Sequence, residues 1–548
     1  MASLNPITGV LNTRRAAHFL RRTTFHYTRK RVDELAALTA FEAFQLLFTP
    51  APLKVEQPLY GTNAVTWINP PQPPSAVLPA EDFELRRYVM GWWVNEALHD
   101  TGAGHKMEFF LHQYLAVTAE SGSTGQFFDY LQLLRWGAFG NFKKMVTKIV
   151  LDNCMLNYIN NNLNFVNNPN ENFAREFLEL HTIGKGDIAG PGDYSTYTEE
   201  DIVQAARVLT GFGNAQRHLN VDAETTIPSG KGFPQSHDFM PKTFSNRFNS
   251  TIISAPSNDA AGMVAELDSF VDMIFAQEAT AKNICRRLYH YFVTRKISAE
   301  VETDIITPLA QTFKDNNFEL LPVLSQLLQS QHFFDEDDSS ATDEIFGAFI
   351  KSPLDLSLQA LTYFELPIPD PITENEKHYL TFYNGAVLER MLSRTGMDLF
   401  YPPDVAGYPG YYQDPVFNRQ FFNSASIVGR YKLPEILLTG TYAWVPSPDA
   451  PIGTKLDFAK WIKDSGNISA PSDSYVLVQE LLIYLFPEEP DTDRFTHFLD
   501  VVFLNGLPPG DWTYEWDNYV ATGDDTEVSI PLRRLLNAIM YAPEYQLF

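Results

Sequence analysis

Cysteine is almost missing from this chain of 548 residues. Cys154 and Cys285 are its only two, too few for a disulfide framework, and each sits in an apolar helical context that suits a buried free thiol. No stretch approaches the ~18 consecutive apolar residues of a membrane helix, so no transmembrane segment is expected. Basic residues are scarce, 41 against 67 acidic, and the net charge is -26. Such a field repels phosphate backbones and anionic bilayers, which argues against nucleic acid as a partner. The start, "MASLNPITGVLNTRRAAHFLRRTTFHYTRKR", holds two Arg pairs but no apolar stretch followed by a small-residue cleavage site. Neither a secretory nor a twin-arginine signal is expected, and the literal reading is a cytoplasmic protein.

Several motifs that carry chemistry are also missing. There is no H-E-x-x-H, no Walker phosphate loop, no EF-hand loop and no G-x-S-x-G elbow. "GKGDIAG" at 184–190 has the spacing of a dinucleotide turn but follows a helical pattern instead of a strand. A single E-x-x-H, Glu96 to His99, is half of what a di-iron carboxylate bundle would need.

What is present is apolar bulk. Hydrophobic residues make up 45% of the chain, ample for a large core. Residues 12–48 read as two short amphipathic helices, with Leu35, Leu38, Phe41, Phe44 and Leu47 at helical spacing. Residues 49–80 are Pro-rich and read as a surface loop. Long helical patterns fill 81–163, and residues 213–256 read as an irregular insertion with room for a short hairpin. Helical patterning returns over 259–334. The acidic linker "DEDDSSATDE" (335–344), helices at 351–365 and 376–396, and the loop "YPPDVAGYPGYYQDP" follow. A turn-rich stretch at 440–454 precedes a last helical segment to about 546. The expected fold is mainly α, a large irregular multi-helix assembly with long loops and at most a small β-hairpin. The main helical domain is expected over 1–440, with a C-terminal helical segment, 441–548, packed on it.

"NNPNENFAREFLELHTIG" (167–184) is an unusually polar helix start. Asn168 or Asn170 can cap it, with Pro169 in its first turn and Gly184 at its end. At 100° per residue, Phe173, Ala174, Phe177, Leu178 and Leu180 share a face with His181 near its centre. Glu171, Asn172, Arg175, Glu176 and Glu179 share the other. Spacing alone makes the Glu171–Arg175 and Arg175–Glu179 pairs a solvated arc, and His181 a hydrogen-bonded core histidine. "HKMEFFLH" places His105, Glu108 and His112 on one side of a helix, either as locally paired groups or as donors suited to zinc, manganese or iron. "SHDFMPK" sets His237, Asp238 and Lys242 in a loop, where a rigid scaffold presents chemistry or where an Asx turn forms.

"NPNENFAREFLELHTIG" followed by "YTEEDIVQAARVLTGF" resembles the central motif of the bacterial family known as domain of unknown function 1800. The resemblance extends to "RRAAHFLRRTTF", "KMEFFLHQYLAV", "HDFMPKTF" and "PPDVAGYPG", roughly residues 12 to 438. It departs at Tyr114, where the family tends to have a second His, and at Tyr408, where it has Trp. The family implies an α-rich single unit and a frequent gene neighbour resembling alkaline phosphatases and sulfatases. Two readings follow. In the first, His112, Glu176, Glu179, His237, Asp238 and Lys242 meet at one polar cleft of a hydrolase-like enzyme, with a divalent metal as an optional cofactor. In the second, the chain is a non-catalytic helical binding or assembly partner of the sulfatase-like protein, exported with it as a folded passenger.

Overall fold

The computed structural model describes residues 2–50, 57–61, 65–69, 82–191, 193–337, 345–440 and 454–548. The chain is mainly α, with only short antiparallel strand pairs among the described residues. The N-terminal pattern resolves into three helices instead of two: α1 (Asn12–Thr23), α2 (Arg29–Ala36) and α3 (Ala40–Leu47). The third exists because Thr39 and Glu42 close a reciprocal capping box that restarts the helix after Leu38. Most of the Pro-rich stretch (51–56, 62–64 and 70–80) lies outside the described residues, as do 338–344 of the acidic linker and 441–453 of the turn-rich segment.

α4 (Asp82–His99) and α5 (Gly104–Tyr114) follow. The region 126–160 is broken into α6 (Thr124–Gly137), α7 (Phe142–Val150) and α8 (Asn153–Tyr158). Each break is marked by a side-chain cap, Asn141 accepting from the Lys144 amide and Asp152 from the Met155 amide. α9 (Glu171–Glu176) runs into a wider π-helical turn, Phe177–His181. α10 (Glu199–Val208) starts in a second capping box, Thr198 with Asp201. The insertion holds two strand pairs instead of one, Phe212–Gly213 with Lys231–Gly232 and Lys242–Thr243 with Ile252–Ile253. α11 (Ala260–Phe275) and α12 (Glu278–Phe292) close this half.

One contiguous apolar core runs from Ile7 to Tyr545. The C-terminal helices join it through polar ties as well. Arg21 donates to the Tyr484 carbonyl at 2.6 Å and Arg430 to Gln546 at 2.9 Å.

Candidate functional site

The polar helix start is capped by Asn170, whose side chain accepts from the Asn172 amide, with Pro169 lying before the cap. Only one of the two predicted intrahelical pairs forms. Arg175 stands 3.6 Å from Glu171, but its guanidinium is held by Glu199 of α10 in a bidentate pair, both bonds 2.8 Å. Glu179 pairs instead with Lys185, at 2.6 Å. The π turn changes the register after Phe177, which carries Glu179 away from Arg175. His181 is fully buried, yet neither ring nitrogen has a hydrogen-bond partner. That corrects the expectation of a hydrogen-bonded core histidine. Burial, and then the charge of Arg287, push its pKa down to about 3.

His237, Asp238 and Lys242 do come together, around a residue absent from the predicted set. His237 Nε2 lies 2.8 Å from Glu266 Oε2, and Lys242 Nζ lies 2.6 Å from Glu266 Oε1. His237 Nδ1 faces the Thr210 carbonyl at 2.7 Å. All three side chains of the His237–Glu266–Lys242 set are 0% exposed, so nothing in solution reaches them. Asp238, more accessible, pairs with Arg207 at 2.7 Å. The network pins the 237–243 loop to α10 and α11, and its buried charges are compensated within it.

His112 lies elsewhere, inside a cage of Phe109, Tyr130, Phe400 and Tyr408. The Tyr130 hydroxyl gives its single proton to the Leu115 carbonyl at 2.8 Å and accepts from His112 Nδ1 at 2.9 Å. Nε2 is thereby left with a bare lone pair and no partner. Burial pushes the imidazole down to about 3. His105 and Glu108 are paired locally, with Asp100 and with Arg135 and Trp93 respectively. The six predicted residues thus fall into three groups, and no hydrogen bond or ion pair among the described residues joins one group to another. Nor does any group of three or more His, Cys, Asp or Glu side chains among the described residues suit a metal ion.

A cleft of about 230 Å³ lies apart from all three groups, in that none of the six predicted residues lines it. Its floor is one stripe of α12: Asn283, Arg286, Arg287, His290 and Tyr291, spaced i, i+3, i+4, i+7 and i+8. The opposite stripe, Ala281, Ile284, Cys285, Leu288 and Phe292, is in the core. The walls come from the family-like motifs. Gln113 and Tyr114 end α5, while Ala406, Tyr411 and Tyr412 belong to the Pro- and Tyr-rich loop. Gly184 ends the polar helix with φ +80°, and a Cβ there would stand 2.8 Å from the Asn283 side chain. Gly407, φ +92°, lies equally close to the Gln113 carbonyl, 2.8 Å from a notional Cβ. Both positions need glycine for conformation and for space.

Arg286 is paired with Glu302. Arg287 has neither a carboxylate nor a hydrogen-bond partner among the described residues; its guanidinium sits 4.6 Å above the Tyr114 ring. Asn283 donates to the Thr182 carbonyl at 2.8 Å and to the Tyr114 hydroxyl at 3.3 Å. The amide nitrogen of Gln113, 6% exposed, has no partner. Outside the cleft lining, burial and the neighbouring charges of Glu179 and Asp404 raise the pKa of half-buried Glu176. Asp404 also acts on the Tyr412 hydroxyl in the cleft wall, as does Arg287. The residues missed from sequence, Asn283 and Arg287, left a signal in the polar stripe of α12, which is too basic for a face that is half inside.

These features define an α-helical protein with a cationic, aromatic-walled cleft between α5, α12 and the Pro- and Tyr-rich loop. The profile of one family, described as "Protein of unknown function (DUF1800)", matches residues 18–547, and the chain belongs to that family. No curated protein and no solved structure matches it.

Proposed function

We propose that the protein binds a small organic anion in the Arg287 cleft. The observation that carries this reading is Arg287 itself, a guanidinium without a carboxylate partner among the described residues, held over an aromatic ring in a concave site. In a chain of net charge -26, a carboxylate is the cheapest neighbour for an arginine, so its omission there favours a ligand that brings the charge. The Gln113 amide supplies a further donor, and Tyr114, Tyr411 and Tyr412 supply ring faces for the organic part. Calorimetric titration with a panel of small carboxylates, phosphate esters and sulfate esters tests it. At least one class should bind the parent and lose affinity at least tenfold in Arg287→Gln. Binding unchanged in that variant, or none across the panel, would remove the reading.

A second reading is hydrolysis of the bound anion with Glu176 as the acid, since Asp404 acts both on Glu176 and on Tyr412 of the cleft wall. Burial, and then the charges of Glu179 and Asp404, raise the pKa of Glu176, the direction that suits a general acid. Turnover abolished by Glu176→Gln with ligand affinity retained would support it, and unchanged turnover would exclude it.

A further inference from the structure

One buried cluster of this acidic protein is rich in cations. Arg22, Lys106, Lys351 and Arg430 are each at most 4% exposed, and Asp355, 3% exposed, is the carboxylate set among them. Asp355 is already engaged on both oxygens, Oδ1 with Lys106 Nζ and Oδ2 with Ser352 Oγ at 2.7 Å. Lys351 and Arg430 bond only to carbonyl and amide oxygens. Arg22 is the least satisfied. Its Nη2 donates to the Ile345 carbonyl at 2.7 Å, while Nε and Nη1 have no partner. Asn418, 5% exposed, likewise leaves Nδ2 without one.

Arg22 and Asn418 line the same small cavity, together with Lys106, Ser352 and Asp355. It measures about 20 Å³ and shares His290, Tyr291, Tyr411 and Phe417 with the Arg287 cleft above it. That exceeds the roughly 10–15 Å³ that one water needs and leaves room for a single, somewhat larger ion. Three donor nitrogens on its wall residues stand unsatisfied, and Asp355, the one side-chain carboxylate there, is already engaged. Orphan donors on a buried cation are costly, and an ion that accepts from all of them removes the cost. A water would satisfy two of these donors but would bring two protons of its own.

We propose that this cavity holds a single monovalent anion of halide size, chloride in solution, bound by Arg22 and Asn418 with Lys106 close by. A carboxylate oxygen from a molecule in the cleft above has the same acceptor chemistry, but the remaining atoms of its group exceed the space. The inference does not rest on the reading of Arg287.

The test uses the full-length protein exchanged into sodium gluconate. Thermal unfolding is followed while gluconate is replaced by chloride, bromide or acetate at constant ionic strength. The Tm should rise and saturate with chloride and bromide, and bromide-soaked crystals should show an anomalous peak between Arg22 and Asn418. Asn418→Asp, which puts a tethered carboxylate beside Arg22, should fold and lose the halide response. Arg22→Gln should lose it too if it folds, and the aspartate variant decides if it does not. No difference between chloride and gluconate, a response to acetate but not to halide, or a full halide response in Asn418→Asp would each overturn the proposal.

Discussion

The guanidinium of Arg287 lies 4.6 Å from the ring centre of Tyr114, the last residue of α5. A histidine there would compete with Arg287 for charge, whereas a phenol offers its ring face to the cation and its hydroxyl to Asn283. Tyr114→Phe keeps the face and should leave stability within about 1 kcal/mol. Tyr114→Leu removes the face, should cost a further ~0.5–1 kcal/mol from the cation contact alone, and should weaken any Arg287-dependent ligand. Urea unfolding and the titration above read the two effects separately.

Glu266 is the hub of the buried His237–Lys242 network. Glu266→Ala strands Lys242 in the interior and should destabilise the protein by about 3–5 kcal/mol. The double variant Glu266→Leu with Lys242→Met removes both charges and should recover a large part of that loss. Equal losses in single and double variants, measured by chemical denaturation, would show that the network acts through shape and not through charge.

Arg175 and Glu199 form a bidentate pair with side chains 35% and 45% exposed. Solvent screens such a pair, so Arg175→Ala should cost under about 1 kcal/mol, less in high salt. A Tm drop that persists in molar salt would mean that Arg175 holds the 198–201 turn by packing.

His112 and His181 are buried and neutral, each with its pKa pushed down to about 3 by burial. The stability each contributes is complete above the unfolded value near 6.5 and is lost as the pH falls from there toward about 3. Each should add about 1.4 kcal/mol per pH unit to the acid slope of unfolding. Because neither His181 nitrogen is bonded, His181→Leu should cost little at pH 7.5 and should remove one proton from that slope. An unchanged slope would show that the ring stays neutral in acid by another route.

The architecture was legible in the sequence wherever periodicity and caps agreed. α9 begins after Asn170, one of the two Asn that could cap it, and Pro169 falls outside the helix. The site was less so. His237, Asp238 and Lys242 were grouped correctly by adjacency, but their partner Glu266 stands on a helix whose pattern reads simply as amphipathic. Arg175–Glu179 failed because a π turn intervenes, and no spacing rule shows where a helix will widen. Arg287 escaped notice because its significance is a missing partner, which only three-dimensional packing reveals.

The single-helix floor of the cleft has a mechanical meaning. Five side chains that would face a ligand share one rigid rod, and the rear of that rod is clamped by Ala281, Ile284, Cys285, Leu288 and Phe292. A shift of α12 would therefore move Asn283, Arg286, Arg287, His290 and Tyr291 together, changing the distance to the walls but not the spacing within the floor. The walls that carry Tyr114 and Tyr412 stand on other elements, so a core substitution behind Cys285 would act on the cleft as a change of gap.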